Sequence, residues 1–148
     1  MTGVLIDALD SRTAAAGALV KHRTELLRVG ADRLALAAHW CDLHPAVDRH
    51  GRRAGADGTP LVEEFAAEEL GCLLQVHMYA AHNLMSDAVN LRHRHPLLWE
   101  RLQAGEVLDW VAVKAARLVA AADLSLEQAR WVDEVTTEYV VTLPTGRY

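Results

Sequence analysis

Apolar residues recur every seven positions in the first third of the chain, a spacing that places them on one face of an α-helix. The series consists of Val20, Leu27, Leu34 and Cys41, widened by Ala16, Leu26, Ala37 and Ala38. The pattern predicts one long helix over residues 11–43. It ends before Pro45, because a residue that precedes proline avoids helical geometry. Gly30, within the stripe, indicates a kink or a close helix contact.

The periodicity stops in residues 46–58, which contain three glycines and charges of both signs. This composition predicts a mobile loop rich in glycine and arginine, and no hairpin pattern is visible. Arg49, Arg52 and Arg53 are candidate contacts to nucleic-acid phosphates. The alternative interpretation is a solvated linker, because charged side chains are common in surface loops.

Helical periodicity returns in residues 59–141, which form the predicted helical core. Thr59 is placed as an N-cap with Pro60 at the first helical position. Ser125 and Gln128 have the spacing of a capping box. The predicted helices of this core cover residues 59–74, 78–94, 96–103, 110–122 and 125–141. Together with the first helix they predict an all-α, single-domain bundle of six helices over residues 1–148.

The net charge of −5 argues against a strongly basic DNA-binding face. No apolar run approaches the roughly 20 residues of a membrane span, and no secretion signal is visible, so a cytoplasmic protein without membrane contact is expected. Cys41 and Cys72 are predicted to be buried, reduced thiols. Three tryptophans, Trp99, Trp110 and Trp131, are predicted core anchors, with Trp40 at the edge of the first helix's buried stripe.

No spacing of histidines or cysteines fits a metal site or a catalytic nucleophile. The histidine pairs are His93 and His95, His39 and His44, and His77 and His82, separated by two or five positions. These separations do not align ligands on one helix face. The acidic residues Glu63, Glu64, Glu68 and Glu69 are predicted to form a solvated helix face away from any cleft. We therefore predict no catalytic residue, metal, cofactor or small-molecule ligand, with an unrecognised enzyme as the remaining alternative.

A helix–turn–helix register is present around the predicted turn at residues 75–77. Its apolar and small positions are Gly71, Leu74, Val76, Ala81 and Leu84. His82, Asn83 and Ser86 would then be exposed toward DNA, and asparagine is suited to reading adenine. No Lys or Arg occurs in this second helix before Arg92, and Asp87 has the wrong charge for DNA. Plain packing of two helices is therefore the competing interpretation.

Four stretches have a recognisable order and spacing: "LALAAHWCDLHP", "TPLVEEFAAEELG", "SDAVNLRHRHPLLWERLQAGEVLDW" and "AARLVAAADLSLEQARWVD". Together they resemble the helical domain of unknown function 222, the thirteen-E-twelve repeat family of high-GC bacteria. The matching motif residues are His39, Trp40, His44, Arg92, His93, Pro96, Trp99, Gly105 and Trp110. The chain departs from the family pattern at Gln75, which replaces a turn glycine, and at His95, where an apolar residue is usual.

The resemblance implies a helical module that commonly lies upstream of an HNH endonuclease, with no catalytic residues to carry over. No HNH module is expected within the chain, since its asparagines are only Asn83 and Asn90, both in predicted helix. The preferred hypothesis is a non-catalytic module that positions DNA or a protein partner for such a nuclease, or forms a homodimer through its first helix. A helix–turn–helix DNA-binding regulator is the alternative.

Overall fold

The computed structural model describes residues 6–143, and this part of the chain forms six α-helices and one short β-hairpin. The helices are α1 (Arg12–Leu43), α2 (Ala66–Leu74), α3 (Met78–Val89), α4 (Pro96–Gln103), α5 (Asp109–Ala121) and α6 (Leu126–Thr142). A 3-10 turn, Ile6–Ala8, precedes α1, and a π-helical turn, Asn90–Arg94, links α3 to α4. The all-α prediction is confirmed. None of the described helices is long and apolar enough to cross a bilayer.

The heptad series of α1 is buried only along its C-terminal part. Leu27, Leu34 and Cys41 are buried as predicted, whereas Val20 is 67% exposed and Leu26 is 49% exposed. The prediction was wrong for these two residues and for Ala16, which is also exposed, because no residue of α1 before Leu27 is buried. The N-terminal half of α1 therefore extends beyond the helices against which the rest of α1 packs.

Gly30 allows α1 and α5 to approach closely, as the sequence indicated. A Cβ atom at position 30 would lie 2.7 Å from the Cγ atom of Asp109 at the start of α5. No ordinary side chain tolerates such a distance, so the missing side chain of Gly30 is what permits this contact.

The core consists of two clusters that share α1 and α3. One lies among α1, α3, α4 and α5 and includes Leu34, Leu91 and Leu102. The other lies among α1, the hairpin, α2 and α3 and includes Cys41 and Met85. Because α3 contributes to both clusters, much of its surface is buried and only one side of it faces solvent.

The hairpin replaces the helix start that was predicted at Thr59. Strands β1 (Arg52–Arg53) and β2 (Leu61–Val62) pair in antiparallel register, with Arg52 opposite Val62. The Thr59 hydroxyl oxygen accepts a bond from the Gly55 N–H at 2.9 Å and donates to the Ala56 carbonyl at 2.7 Å. Thr59 thus closes the hairpin turn instead of capping a helix, and α2 begins only at Ala66. The predictions of an irregular loop at β1 and of a helix from residue 59 were wrong.

A three-residue turn, Gln75–His77, joins α2 to α3 as predicted. Gln75 adopts the left-handed conformation with φ 56°, and the His77 side chain accepts a bond from the Tyr79 N–H. Gly71 brings α2 close to the turn, since a Cβ there would lie 3.0 Å from the Val76 carbonyl oxygen. Cys72 is exposed, against prediction, because the buried side of α2 carries Ala66, Leu70 and Gly71.

The π-helical turn anchors the hairpin loop to the bundle. Arg94 is fully buried, and its guanidinium donates to the carbonyl oxygens of Asp57 (2.6 Å) and Leu124 (3.1 Å). The Asn90 side-chain oxygen accepts a bond from the Ala56 N–H at 2.8 Å. A buried guanidinium is tolerated only when such acceptors replace water. The segment therefore holds together parts of the chain that are distant in sequence.

The same segment is tied to α1 and α6. Arg92 forms a two-bond ion pair with Asp42 of α1, one of its bonds measuring 2.8 Å. The buried Asp133 carboxylate of α6 accepts bonds from the N–H groups of Leu97 (2.9 Å) and Leu98 (3.2 Å), and this caps α4. Pro96 opens α4 and Gly105, with φ +77°, follows its end, as predicted. The π-helical turn and the start of α4 therefore connect α1, α6 and the hairpin loop.

Two of the four tryptophans are not core anchors. Trp99 packs against the core, and the half-buried Trp40 donates through its indole nitrogen to the Ala66 carbonyl at 2.9 Å. Trp110 and Trp131 are 50% and 63% exposed, so the prediction was wrong for both. The buried side of α5 carries Val111, Ala112 and Ala116, and that of α6 carries Ala129, Asp133 and Thr137. Both tryptophans lie on other sides of their helices.

Candidate nucleic-acid interface

The exposed side of α3 is the strip formed by Tyr79, His82, Asn83 and Ser86. The first three side chains are exposed and Ser86 is half-buried. Ser86 also accepts a bond of 3.4 Å from the Asn90 side-chain nitrogen, which directs it partly inward. Helix geometry places these four positions on one side of α3, between two clefts. His82 and Asn83 are exposed as the sequence predicted, whereas Ser86 on the same side of α3 is only partly exposed.

The larger cleft, of about 580 Å³, lies between α1, α3 and α5, and we call it the basic cleft. Its charged and polar lining residues are Arg33, Asn83, Asp87, Asp109, Lys114 and Arg117. Three basic and two acidic side chains give it a net charge of +1, in a chain whose net charge is −5. This local balance is the opposite of the overall one.

The acidic residues of the basic cleft are already engaged with the protein. Asp87 is buried and receives two bonds from the Arg117 guanidinium, of 2.9 and 2.7 Å. The same bonds raise the pKa of Arg117 above its usual range. Asp109 lies in the first turn of α5, where the helix dipole favours a carboxylate, and packs against Gly30. Asp87 therefore has its charge neutralised at the cleft floor instead of pointing a bare negative charge at a ligand.

The smaller cleft, of about 210 Å³, lies between the hairpin, α2 and α3, and we call it the acidic cleft. Its ionisable lining residues are Arg52, Arg53, Glu63, Glu64, Glu68 and His82. Two arginines against three glutamates give a net charge of −1 when the histidine is neutral. The prediction that Glu63, Glu64 and Glu68 lie away from any cleft was wrong, because Glu63 and Glu64 directly follow β2, Glu68 lies in α2, and all three line this cleft.

The predicted DNA-contacting arginines are only partly brought together. Arg52 and Arg53 line the acidic cleft with His82, and the Arg53 guanidinium donates to the Thr59 carbonyl at 2.7 Å. Arg49 is exposed in the loop before β1 and is not part of that lining. Asn83 opens instead into the basic cleft. The structure thus places Arg52, Arg53 and His82 in one cleft and Asn83 in the other, while Arg49 and Ser86 line neither.

The motif residues at the end of α1 serve packing. His44 lies 2.8 Å from the Trp40 carbonyl oxygen through Nδ1, and the two rings have their centroids 3.9 Å apart. The exposed His39 lies 4.0 Å from Asp42, the ion-pair partner of Arg92. Burial and the neighbouring Arg92 lower the pKa of His93. These contacts connect the end of α1 to α2 and to the π-helical turn.

Among the described residues, no group of three or more histidine, cysteine or acidic side chains is arranged to hold a metal ion. Burial raises the pKa of the Cys41 thiol to about 11, so this cysteine stays protonated and unreactive at neutral pH. The basic cleft also includes the exposed indole ring of Trp110.

Sequence reasoning did not bring together Arg33, Lys114, Arg117 and Trp110, which line the basic cleft. A signal was present for three of them, because Trp110, Lys114 and Arg117 are separated by four and three positions and so share one side of α5. Arg33 could not be assigned, since its proximity to α5 depends on the packing of α1.

Comparison with known proteins finds no matching family model, no matching curated protein and no matching solved structure.

Proposed function

We propose that this chain is a non-catalytic helical module that binds DNA along the exposed strip of α3 and the basic cleft. The observation that carries the proposal is the convergence of Arg33, Lys114 and Arg117, from two other helices, on the side of α3 that presents Asn83. The strip itself contains no Lys or Arg, and its neighbours supply the positive charge. In keeping with the resemblance to the HNH-associated helical family, the module would position DNA for a nuclease.

Binding of this kind should be weak and sensitive to salt. Because Asp87 neutralises Arg117, about two phosphate contacts, from Arg33 and Lys114, would give a slope near −1.8 in log K against log salt, or a loss of roughly 12-fold between 50 and 200 mM. The overall charge of −5 also weakens binding, because it disfavours long-range attraction to DNA. The module would therefore assist a nuclease and would not hold DNA tightly alone.

The test is binding of a fluorescent DNA duplex across a series of salt concentrations. Arg33→Ala is expected to weaken binding and to reduce the salt slope by about 0.9, the value of one phosphate contact. Arg23→Ala is the matched control, since it removes the same charge from an exposed position of α1 outside the cleft lining. Absence of salt-sensitive binding by the wild-type protein would refute the proposal.

A helix–turn–helix regulator is the second candidate, favoured by the three-residue turn and by the close approach at Gly71. A regulator would select a particular base sequence through His82 and Asn83, whereas a positioning module would bind without preference for sequence. Asn83→Ala and His82→Ala, tested against a pool of duplexes of random sequence, distinguish the two. Selection of a preferred sequence by the wild type, lost in these variants, would favour the regulator.

We also propose a second copy of the chain as the partner of the N-terminal half of α1. What supports this is the exposure of Leu19, Val20 and Leu26, at 69%, 67% and 49%, on a segment without buried residues. Leu19 and Leu26 are seven positions apart, a spacing that suits pairing of two like helices. A homodimer would cover this apolar surface.

A further inference from the structure

Trp110 is an exposed aromatic ring in a cleft that also contains basic side chains. Half of its surface is exposed, although indole rings are usually covered when a neighbouring helix is available. The ring lines the basic cleft beside the apolar side chains of Val113 and Leu118. The cleft therefore combines an uncovered flat ring, apolar walls and positive charge.

The other exposed tryptophan has different surroundings. Trp131 is 63% exposed on α6, in a depression whose charged residues are Glu127, Arg130 and Glu134. Two acidic residues against one basic residue make that surface unfavourable for a phosphate group. Trp131 thus provides an internal comparison, with the same ring and similar exposure but the opposite charge balance.

We propose that the basic cleft binds an unstacked base of single-stranded nucleic acid, with the base lying on the Trp110 ring. The Asn83 amide, which can both donate and accept, would contact the base edge, and Arg33 and Lys114 would contact the adjoining phosphates. This inference rests on the proposed function and specifies which form of nucleic acid the site prefers.

The size and form of the cleft agree with this occupant. Its volume of about 580 Å³ lies within the range of roughly 300–1,000 Å³ that is usual for pockets holding small organic groups. In an intact duplex both faces of a base are covered by its neighbours, so the Trp110 ring has nothing to stack on. Only an extruded or single-stranded base presents a free face.

The Arg117–Asp87 pair gives the cleft a fixed floor. Asp87 is buried and accepts two bonds from the Arg117 guanidinium. These bonds hold the Arg117 side chain in one orientation. Asn83 lies one helical turn before Asp87 on the same side of α3. A base seated on Trp110 would therefore meet a prearranged polar edge.

The experiment compares three probes at one low salt concentration: a deoxyuridine oligonucleotide, a uridine oligoribonucleotide and a DNA duplex. We expect the single strands to bind more tightly than the duplex. Trp110→Ala should weaken single-strand binding roughly 5- to 150-fold, the effect of losing one base stacked on an aromatic ring. Trp110→Phe should retain most of the affinity, and Trp131→Ala should leave it unchanged. The DNA and RNA strands show whether the 2′-hydroxyl contributes.

The outcomes distinguish the binding of a single-stranded base from the proposed DNA-binding function. If the duplex binds in a salt-sensitive manner but single strands bind no better, the basic cleft does not bind a base, and the proposed DNA-binding function stands. The same conclusion follows if the duplex binds and Trp110→Ala and Trp131→Ala have equal effects. If none of the probes binds, both are overturned. Far-ultraviolet circular dichroism on Trp110→Ala checks its folding, and an unchanged affinity in Trp110→Phe with loss in Trp110→Ala identifies the ring as the contact.

Discussion

At the scale of single residues, two glycines of α1 differ in whether the structure has room for a side chain. A Cβ at position 30 would meet the Asp109 side chain at 2.7 to 2.9 Å, whereas a Cβ at position 17 meets nothing within 4 Å. Gly30 is therefore required for packing. Gly17 only adds backbone freedom to a helix interior, which lowers helix stability.

Gly30→Ala and Gly17→Ala should consequently have effects of opposite sign. The first is expected to lower the free energy of unfolding by about 1–3 kcal/mol through overpacking against Asp109. The second is expected to raise it by about 0.5–1 kcal/mol, since alanine favours the helix. Chemical denaturation of both variants measures this. If Gly30→Ala were stabilising, the close approach of α1 and α5 would be wrong.

Local residue types predicted several ends of elements, although not the helix start expected at Thr59. Pro96, Gly105 and the Ser125–Gln128 capping box act through their own backbone geometry, and the structure places all of them as expected. The burial of Trp110 and Trp131 could not be predicted in the same way. An indole buries a large area wherever it is covered, but which side of a helix is covered depends on its neighbours.

At the scale of elements, the π-helical turn and the start of α4 form a buried polar junction. His95 is 3% exposed, and its Nδ1 lies 3.9 Å from the Asp133 carboxylate oxygen. Burial lowers the pKa of His95 below its ordinary value of 6.5, and the Asp133 carboxylate opposes part of this shift. In the folded protein this histidine is therefore held neutral at pH values where an unfolded chain takes up a proton.

The stability of the protein should decrease as the pH falls below about 6.5. In that window the unfolded chain binds more protons than the folded chain, and each such proton contributes a slope of at most about 1.4 kcal/mol per pH unit. His93, whose pKa is also lowered, adds to the effect. His95→Gln should make the slope between pH 6.5 and 5 shallower, as measured by denaturation at several pH values.

The control for this slope is His22→Gln, which changes an exposed histidine of α1. It is expected to leave the pH dependence as it is. An equal slope in wild type and His95→Gln would contradict the assignment of His95 as a buried neutral group.

The hairpin is the element that sequence patterns missed. Strands of two residues are too short for an alternation of apolar and polar positions, so β1 and β2 left no periodic signal. Thr59 and Pro60 do resemble a helix start, but the bonds from Thr59 to Gly55 and Ala56 favour a closed turn. A tight turn thus outweighed the preference of Thr59 and Pro60 for a helix start.

At the scale of the whole molecule, the fold class could be predicted and the interface only in part. Helical periodicity and chain length determine an all-α bundle, because each amphipathic helix must bury its apolar side. The basic cleft depends on Arg33 and Lys114 meeting from helices far apart in sequence. Charge counted along the chain hides such a patch, and only the packing reveals it.

The proposed homodimer makes a prediction at this scale. Light scattering at high protein concentration should give twice the chain mass of 16.3 kDa. Leu19→Glu should shift the protein toward the monomer, because a charge within an apolar helix contact is unfavourable. Val47→Glu, at a position that is 80% exposed outside the helices, should not. A monomeric wild type at high concentration would remove the dimer from consideration.

The contacts around Asp57 also determine in what order the molecule can assemble. Its carboxylate accepts a bond from the Leu126 N–H, across 69 positions of chain, while its carbonyl receives Arg94. Closing so long a segment is entropically costly, and that cost grows with the logarithm of the length. Neighbouring helices such as α2 and α3 need no such closure. We therefore expect the docking of α6 onto the hairpin loop to form later in folding than the contact between α2 and α3.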